Sequence, residues 1–109
     1  MNYYVYVFVR MNMLPVQIAV QACHASLEAG KKILPTITPH LILCGVDEEE
    51  DLRKLLKFLV NKNILIHCFN EPDMNDSFTA LATMPIKEDH EIREVLKKYK
   101  LLPPFIHNR

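Results

Sequence analysis

Apolar residues along the chain follow two rhythms, unbroken runs of strand length and stripes of helical period. Residues 3–9 (YYVYVFV) are a continuous β-branched and aromatic run, the pattern of a strand covered on both faces. Pro15 suits the first turn of a helix, where its missing N–H has no partner to lose. Over 16–32, Val16, Ala19, Val20, Cys23 and Leu27 recur at helical spacing, while Gln17, Gln21, His24 and Glu28 fall on a second stripe. This spacing predicts a helix whose apolar stripe packs inward and whose polar stripe is free for chemistry. Gly30 is its expected C-cap, and Pro35 closes the segment.

Residues 40–46 (HLILCGV) read as a second buried strand. Asp47 with Glu50 three positions on predicts a capping box, and the acids that open this helix complement its dipole. Leu52, Leu55, Leu56 and Leu59 form its inward stripe, with Arg53, Lys54 and Lys57 outside and Asn63 as the stop. A third strand is expected at 64–69 (ILIHCF), turn chemistry at 70–76 (NEPDMND) and a fourth strand at 78–84 (FTALATM). A last helix over 88–100 would turn Ile92, Val95, Leu96 and Tyr99 inward and leave Arg93, Lys97 and Lys100, with Lys98 beside them, on a solvated face. The order β-α-β-α-β-β-α describes an α/β single domain, a four-stranded mixed sheet flanked by helices. Two crossovers would make parallel pairs, and the short 70–76 link one antiparallel pair.

A chain of 109 residues, half of them apolar, buries one core and not two. Its 13 Lys and Arg balance 13 Asp and Glu, so no global basic field exists to hold nucleic acid, and contact with phosphate must rest on a local patch. Gly30 and Gly45 are the only two glycines, which excludes Gly-rich nucleotide loops. Ser26 and Ser77 are the only serines, and neither sits in a nucleophile elbow. The run at 3–9 has no basic flank and stops at Arg10, so neither a signal peptide nor a membrane span is expected and a cytoplasmic protein is the default. Cys23, Cys44 and Cys68 are odd in number and scattered through apolar stretches, which predicts reduced, buried thiols. Zinc ligation with His40 or His67 is disfavoured, because Cys23 and His24 diverge by about 100° on a helix and His67 and Cys68 point to opposite faces of a strand. The same divergence rules against a Cys23–His24 nucleophile pair. No metal or cofactor is predicted.

The segment 5–10 ending in Arg10, followed by Gln21-Ala22-Cys23-His24-Ala25 on a helix, resembles the type II peptidyl-tRNA hydrolase family. That family opens with an apolar strand ending in Arg and a helix carrying A-Q-x-x-H-A. Residues 42–46 with the acidic helix start, the strand at 64–69, the strand 79–84 ending in Pro85, and Tyr99-Lys100-Leu101-Leu102 follow the family's order. The resemblance spans roughly residues 3–102, so one domain is expected over 1–102 with 103–109 as a C-terminal tail. It implies the family's α/β fold, a peptidyl-tRNA or other RNA partner, and ester hydrolysis without a metal.

The departures bear on the chemistry. Where the family places a lysine four residues before the helix Gln, this chain has Gln17. Glu71 is the nearest counterpart of the family's aspartate, Ser77 falls near its later threonine, and the threonine of the shortened turn between them has no counterpart. The family's second helix, between the first helix and the second strand, is reduced or absent. The resemblance therefore implies a site of Gln17, Gln21, His24, Glu71 and Ser77, with Gln17 and Gln21 on one helix face and Glu71 as the candidate base. For His24 a structural role is preferred over that of a general base. Two functions stay open: hydrolysis of the ester between peptide and tRNA, or a catalytically degenerate member acting as an RNA- or protein-binding module. An enzyme for some other small ester or amide is a third reading. Phe105 and Ile106 in the tail are candidates for docking on a second subunit, which leaves a homodimer open.

Overall fold

The computed structural model describes residues 1–101, so the tail expected at 103–109 lies outside the described residues. The elements are β1 (Tyr3–Arg10), α1 (Pro15–Gly30), β2 (His40–Val46), α2 (Glu49–Asn61), β3 (Ile66–Glu71), β4 (Ser77–Thr83), β5 (Ile86–Lys87), α3 (Ile92–Leu96) and β6 (Lys100–Leu101). The sheet order is β3-β4-β1-β2-β6, with β5 beside β1. Four strands are those expected, and β5 and β6 add two short rungs. β1 and β2 form the one parallel ladder among the described residues; β3 pairs antiparallel with β4 at the far edge, so the second crossover joins strands that are not neighbours. Among the described residues no helix is long and apolar enough to cross a membrane.

β1 lies in the middle of the sheet and is buried from Tyr4 to Arg10, as a two-faced run requires. Its alternate residues feed two cores. Tyr4, Tyr6 and Phe8 join Ile42, Cys44, Leu52, Leu55, Leu59, Leu81 and Leu96 on the α2 side. Val5, Val7 and Val9 join Ala22, Ala25, Ala29, Ala80 and Ala82 on the α1 side. The Leu52, Leu55 and Leu59 stripe faces inward as its spacing predicts, and Asn63 stops α2 in a left-handed conformation, φ 59°.

α1 is a correction. Its inward face is not Val16, Ala19, Val20, Cys23 and Leu27; Val16 and Leu27 are 67% and 66% exposed, and Ala19, Val20 and Cys23 also face outward. The buried residues are Gln21, Ala22, Ala25 and Ala29, with Ile18 packed against them. The sheet below presents valines and alanines, and small residues on the helix let its backbone approach them closely. Larger side chains at these positions would hold the helix away. The polar stripe is therefore not free: it packs along β3.

Other boundaries shift. The capping residues of α2 stand one position later than predicted, the Glu48 backbone N–H donating to Asp51 Oδ2 at 3.0 Å. Gly30 ends α1 as its last helical residue and does not act as a left-handed cap. The last helix is only Ile92–Leu96, and Val95 is turned outward. Arg93 is not on a solvated face. It is buried over the Tyr4 ring, 3.6 Å from its centroid, with Nε donating to Tyr6 Oη at 3.1 Å. A helical stripe of Arg93, Lys97 and Lys100 does not exist, because Lys100 belongs to β6.

Candidate functional site

The site forms where α1 crosses the end of β3. β3 runs two residues further than predicted, so Asn70 and Glu71 belong to the strand and not to the turn. With alternation along β3, Glu71, Phe69 and His67 share the face under α1, and each meets one turn of the helix. Gln21 Nε2 donates to Glu71 Oε2 at 3.2 Å. His24 stacks flat on Phe69, ring centroids 4.7 Å apart and planes 4° from parallel. Glu28 reaches His67, with Oε2 3.8 Å from Nε2. The polar stripe of α1 thus forms a seam with β3, running from the half-buried Glu28 and His67 at one end to the buried Gln21 and Glu71 at the other.

Gln21 is held from both ends of its amide. Its Nε2 is on Glu71, and its Oε1 accepts from Thr79 Oγ1 at 2.6 Å. Gln21, Glu71 and Thr79 are all buried, and a buried polar group is tolerated only when its bonds are made. The Glu71 carboxylate takes a second bond from the backbone N–H of Asp73, at 3.4 Å to Oε1, which closes the short 3-10 turn Pro72–Met74.

Thr79 reaches Gln21 because β4 is bulged. The register jumps from Phe69↔Ala80 to Asn70↔Phe78, leaving Thr79 as the extra residue. Strict alternation would put Thr79 on the opposite face from Phe78 and Ala80 on the same face as Phe78. Instead Phe78 and Leu81, an odd three positions apart, both join the α2 core, and Thr79 and Ala80 both face α1. A bulge next to a site that re-aims one side chain is a recurrent device.

Gln17 sits one turn before Gln21. Its Oε1 accepts from the Leu14 backbone N–H at 3.0 Å, the reciprocal half of a helix cap, so the amide nitrogen is the end left for other contacts. Val16, Gln17, Val20, Gln21, Glu71, Asp73 and Met74 line an open cleft of about 250 Å³. Its lining carries two carboxylates and no cation. Ser77 pairs with Glu71 across the ladder but is absent from this lining; its Oγ accepts from Arg10 Nη2 at 3.1 Å. His24 lies a turn farther along α1, outside the cleft, where its ring rests on Phe69.

Of the expected residues the fold brings Gln17, Gln21 and Glu71 together, sets Ser77 behind them and leaves His24 to one side. Two buried residues were missed. Thr79 carried no signal beyond being a polar residue in a buried strand. Arg10 ends β1 with its guanidinium held by neutral oxygens, Phe78 O at 3.1 Å and Asn12 Oδ1 at 2.8 Å besides Ser77. A lone charge closing a seven-residue apolar run was the signal for it. Among the described residues no group of three or more His, Cys, Asp or Glu gathers as a metal site would require. Of the three thiols expected to be buried only Cys44 is; Cys23 is exposed on the outward stripe of α1 and Cys68 is half-buried. Partial burial pushes the Cys68 thiol up from its ordinary range, which favours the protonated thiol over the nucleophilic thiolate.

The family model for "Peptidyl-tRNA hydrolase PTH2" matches residues 1–102. No curated protein matches the chain.

Proposed function

The chain belongs to the peptidyl-tRNA hydrolase PTH2 family, and on that premise we propose that its cleft hydrolyses the ester joining a peptide to tRNA, in the cytoplasm and without a metal. The observation that carries this reading is the Glu71 carboxylate, buried and oriented by the Gln21 amide and the Asp73 N–H, yet part of the cleft wall beside Gln17.

The roles follow from which atoms are already spoken for. Glu71 keeps unused lone pairs on both oxygens and takes a proton from water as that water attacks the ester carbonyl. Gln17 donates from Nε2 to the carbonyl oxygen as negative charge develops there. The tetrahedral intermediate collapses, the ribose oxygen leaves with the proton from Glu71, and the products are a peptide acid and a free tRNA hydroxyl. Gln21 and Thr79 are positioning residues, since both ends of the Gln21 amide are occupied in holding Glu71. Arg10 and Ser77 brace the strand pair at the same level. A neutral donor at position 17 stabilises an oxyanion less than the family's lysine, which makes this a slow member of its family.

The absence of a cation from the cleft lining also favours a second reading. Glu71 and Asp73 repel a polyanion, and a binding module that takes a protein in place of RNA would suffer no such penalty. Turnover of purified peptidyl-tRNA separates the two. Under the first reading the wild type cleaves, Glu71→Gln loses about a hundredfold or more in rate, and Gln17→Lys gains rate at a stability cost of about 1 kcal/mol for the lost cap bond. A folded wild type without cleavage, unimproved by Gln17→Lys, selects the second.

A further inference from the structure

One edge of the α1 face has no cover among the described residues. α1 packs over β1, β3 and β4, and β2 extends beyond it. Leu41 and Leu43 point from β2 to the α1 side, and Leu41 is 52% exposed. With Ala19, Ala22, Cys23 and Leu27 of α1 they line a groove of about 500 Å³ whose walls are almost wholly apolar. This groove is separate from the cleft at Glu71, and it contains most of the stripe whose spacing called for an inward face. A contiguous apolar surface of this kind marks a docking site.

The fold also delivers a candidate occupant to it. β6 pairs antiparallel with β2, Lys100 opposite Gly45 and Leu101 opposite Cys44. The chain therefore leaves Leu101 heading along β2 toward Leu43 and then Leu41. The next five residues, Leu102, Pro103, Pro104, Phe105 and Ile106, are all apolar. At up to about 3.5 Å per extended residue, Phe105 has a reach of roughly 14 Å from Leu101, enough to pass Leu41. Two successive prolines cannot supply the N–H groups of a regular edge strand, which disfavours lengthening the sheet and favours leaving its edge. A segment tethered this close acts at an effective concentration in the millimolar range, well above that of a second copy in solution.

We propose that residues 102–109 of the same chain cover the groove between α1 and β2, with Phe105 and Ile106 as the seated side chains. Cys23, in the groove wall, reports on this in the full-length protein. Alkylation by N-ethylmaleimide, resolved cysteine by cysteine by mass spectrometry, is expected to run roughly tenfold faster at Cys23 in the double variant Phe105→Asp, Ile106→Asp than in wild type. The ratio should not change with protein concentration, and the buried Cys44 should react equally slowly in both. Equal Cys23 rates overturn the proposal. So does protection in wild type that fades on dilution, which would place a second copy in the groove. Phe105→Cys gives a test that survives misfolding of the double variant: with oxidised glutathione as electron acceptor, the introduced thiol should close an intrachain disulfide with Cys23. An interchain disulfide, or none with Cys23, overturns it as well.

Discussion

The two faces of the sheet are packed by different means. On the α2 side, Leu52, Leu55 and Leu59 meet Tyr6, Phe8 and Leu81, large side chains interlocking as in most cores. On the α1 side, Ala22, Ala25 and Ala29 meet Val5, Val7, Val9, Ala80 and Ala82. The first face buries more apolar surface and carries more of the stability. The second buries less, and in exchange lets a helix settle so close that Gln21 and His24 touch β3. The candidate site lies where packing is thin enough for polar side chains to cross between layers.

Truncation should separate the faces most clearly. Leu59→Ala on the α2 side is expected to cost about 2–5 kcal/mol, read from the denaturant midpoint at constant m-value. A cost below that of substitutions on the α1 side would reverse the assignment of the main core. Enlargement probes the other face: Ala25→Leu, with no free space at a fully buried position, should cost about 1–3 kcal/mol. Because it lifts α1 from β3 and β4, it should also depress any hydrolysis more than its stability loss explains. Val16→Ala, on the stripe that faces outward, should stay within about 0.5 kcal/mol of wild type. A larger loss would restore that stripe to the interior.

The smallest expected effect is at the open end of the α1–β3 seam. The hydrogen bond from Lys31 holds the Glu28 carboxyl below its ordinary range; desolvation opposes this, and the charges of Lys31, His67 and His24 add to it. A depressed carboxyl contributes stability above its unfolded pKa and loses it as pH falls through the folded value. Glu28→Gln should thus lower the denaturant midpoint slightly at neutral pH and match wild type in acid below the carboxylate range. An equal difference at both pH values would show that the charge is not involved. Salt should shrink the neutral-pH difference, since the pair is exposed.

The same contrast explains what could be read from residues alone. The α2 stripe was legible because its leucines are both the large residues and the inward ones. On α1 the two criteria part: Ile18, Ala22, Ala25 and Ala29 have helical spacing too, but weighting by size selects Val16, Val20 and Leu27. Only the valines and alanines brought in by β1 and β4, from distant parts of the chain, make small residues the better fit. The family resemblance grouped Gln17, Gln21, His24, Glu71 and Ser77, of which Gln17, Gln21 and Glu71 line one cleft. Thr79 was not, because a bulge is set by pairing between strands and leaves no mark in the spacing along one of them. Arg93 escaped for a related reason. Its partners Tyr4 and Tyr6 lie in β1, and a cation on a short helix looks solvated until aromatic rings are placed beneath it.

The central place of β1 also shapes how the chain must be made. Residues 4–9 combine high β-propensity with no charge and no proline, the composition of segments that stack between chains when left unpaired. Their antiparallel partner β4, with Val7 opposite Ala82, lies about 75 residues later. At typical synthesis rates this strand waits roughly 4–15 s for it. During that interval Arg10, whose guanidinium ends up bonded to Ser77 and the Phe78 carbonyl, is the charge that closes the adhesive run. The residue bonded to Ser77 and Phe78 in the finished fold therefore stands, in the nascent chain, where a gatekeeper charge flanks an adhesive strand.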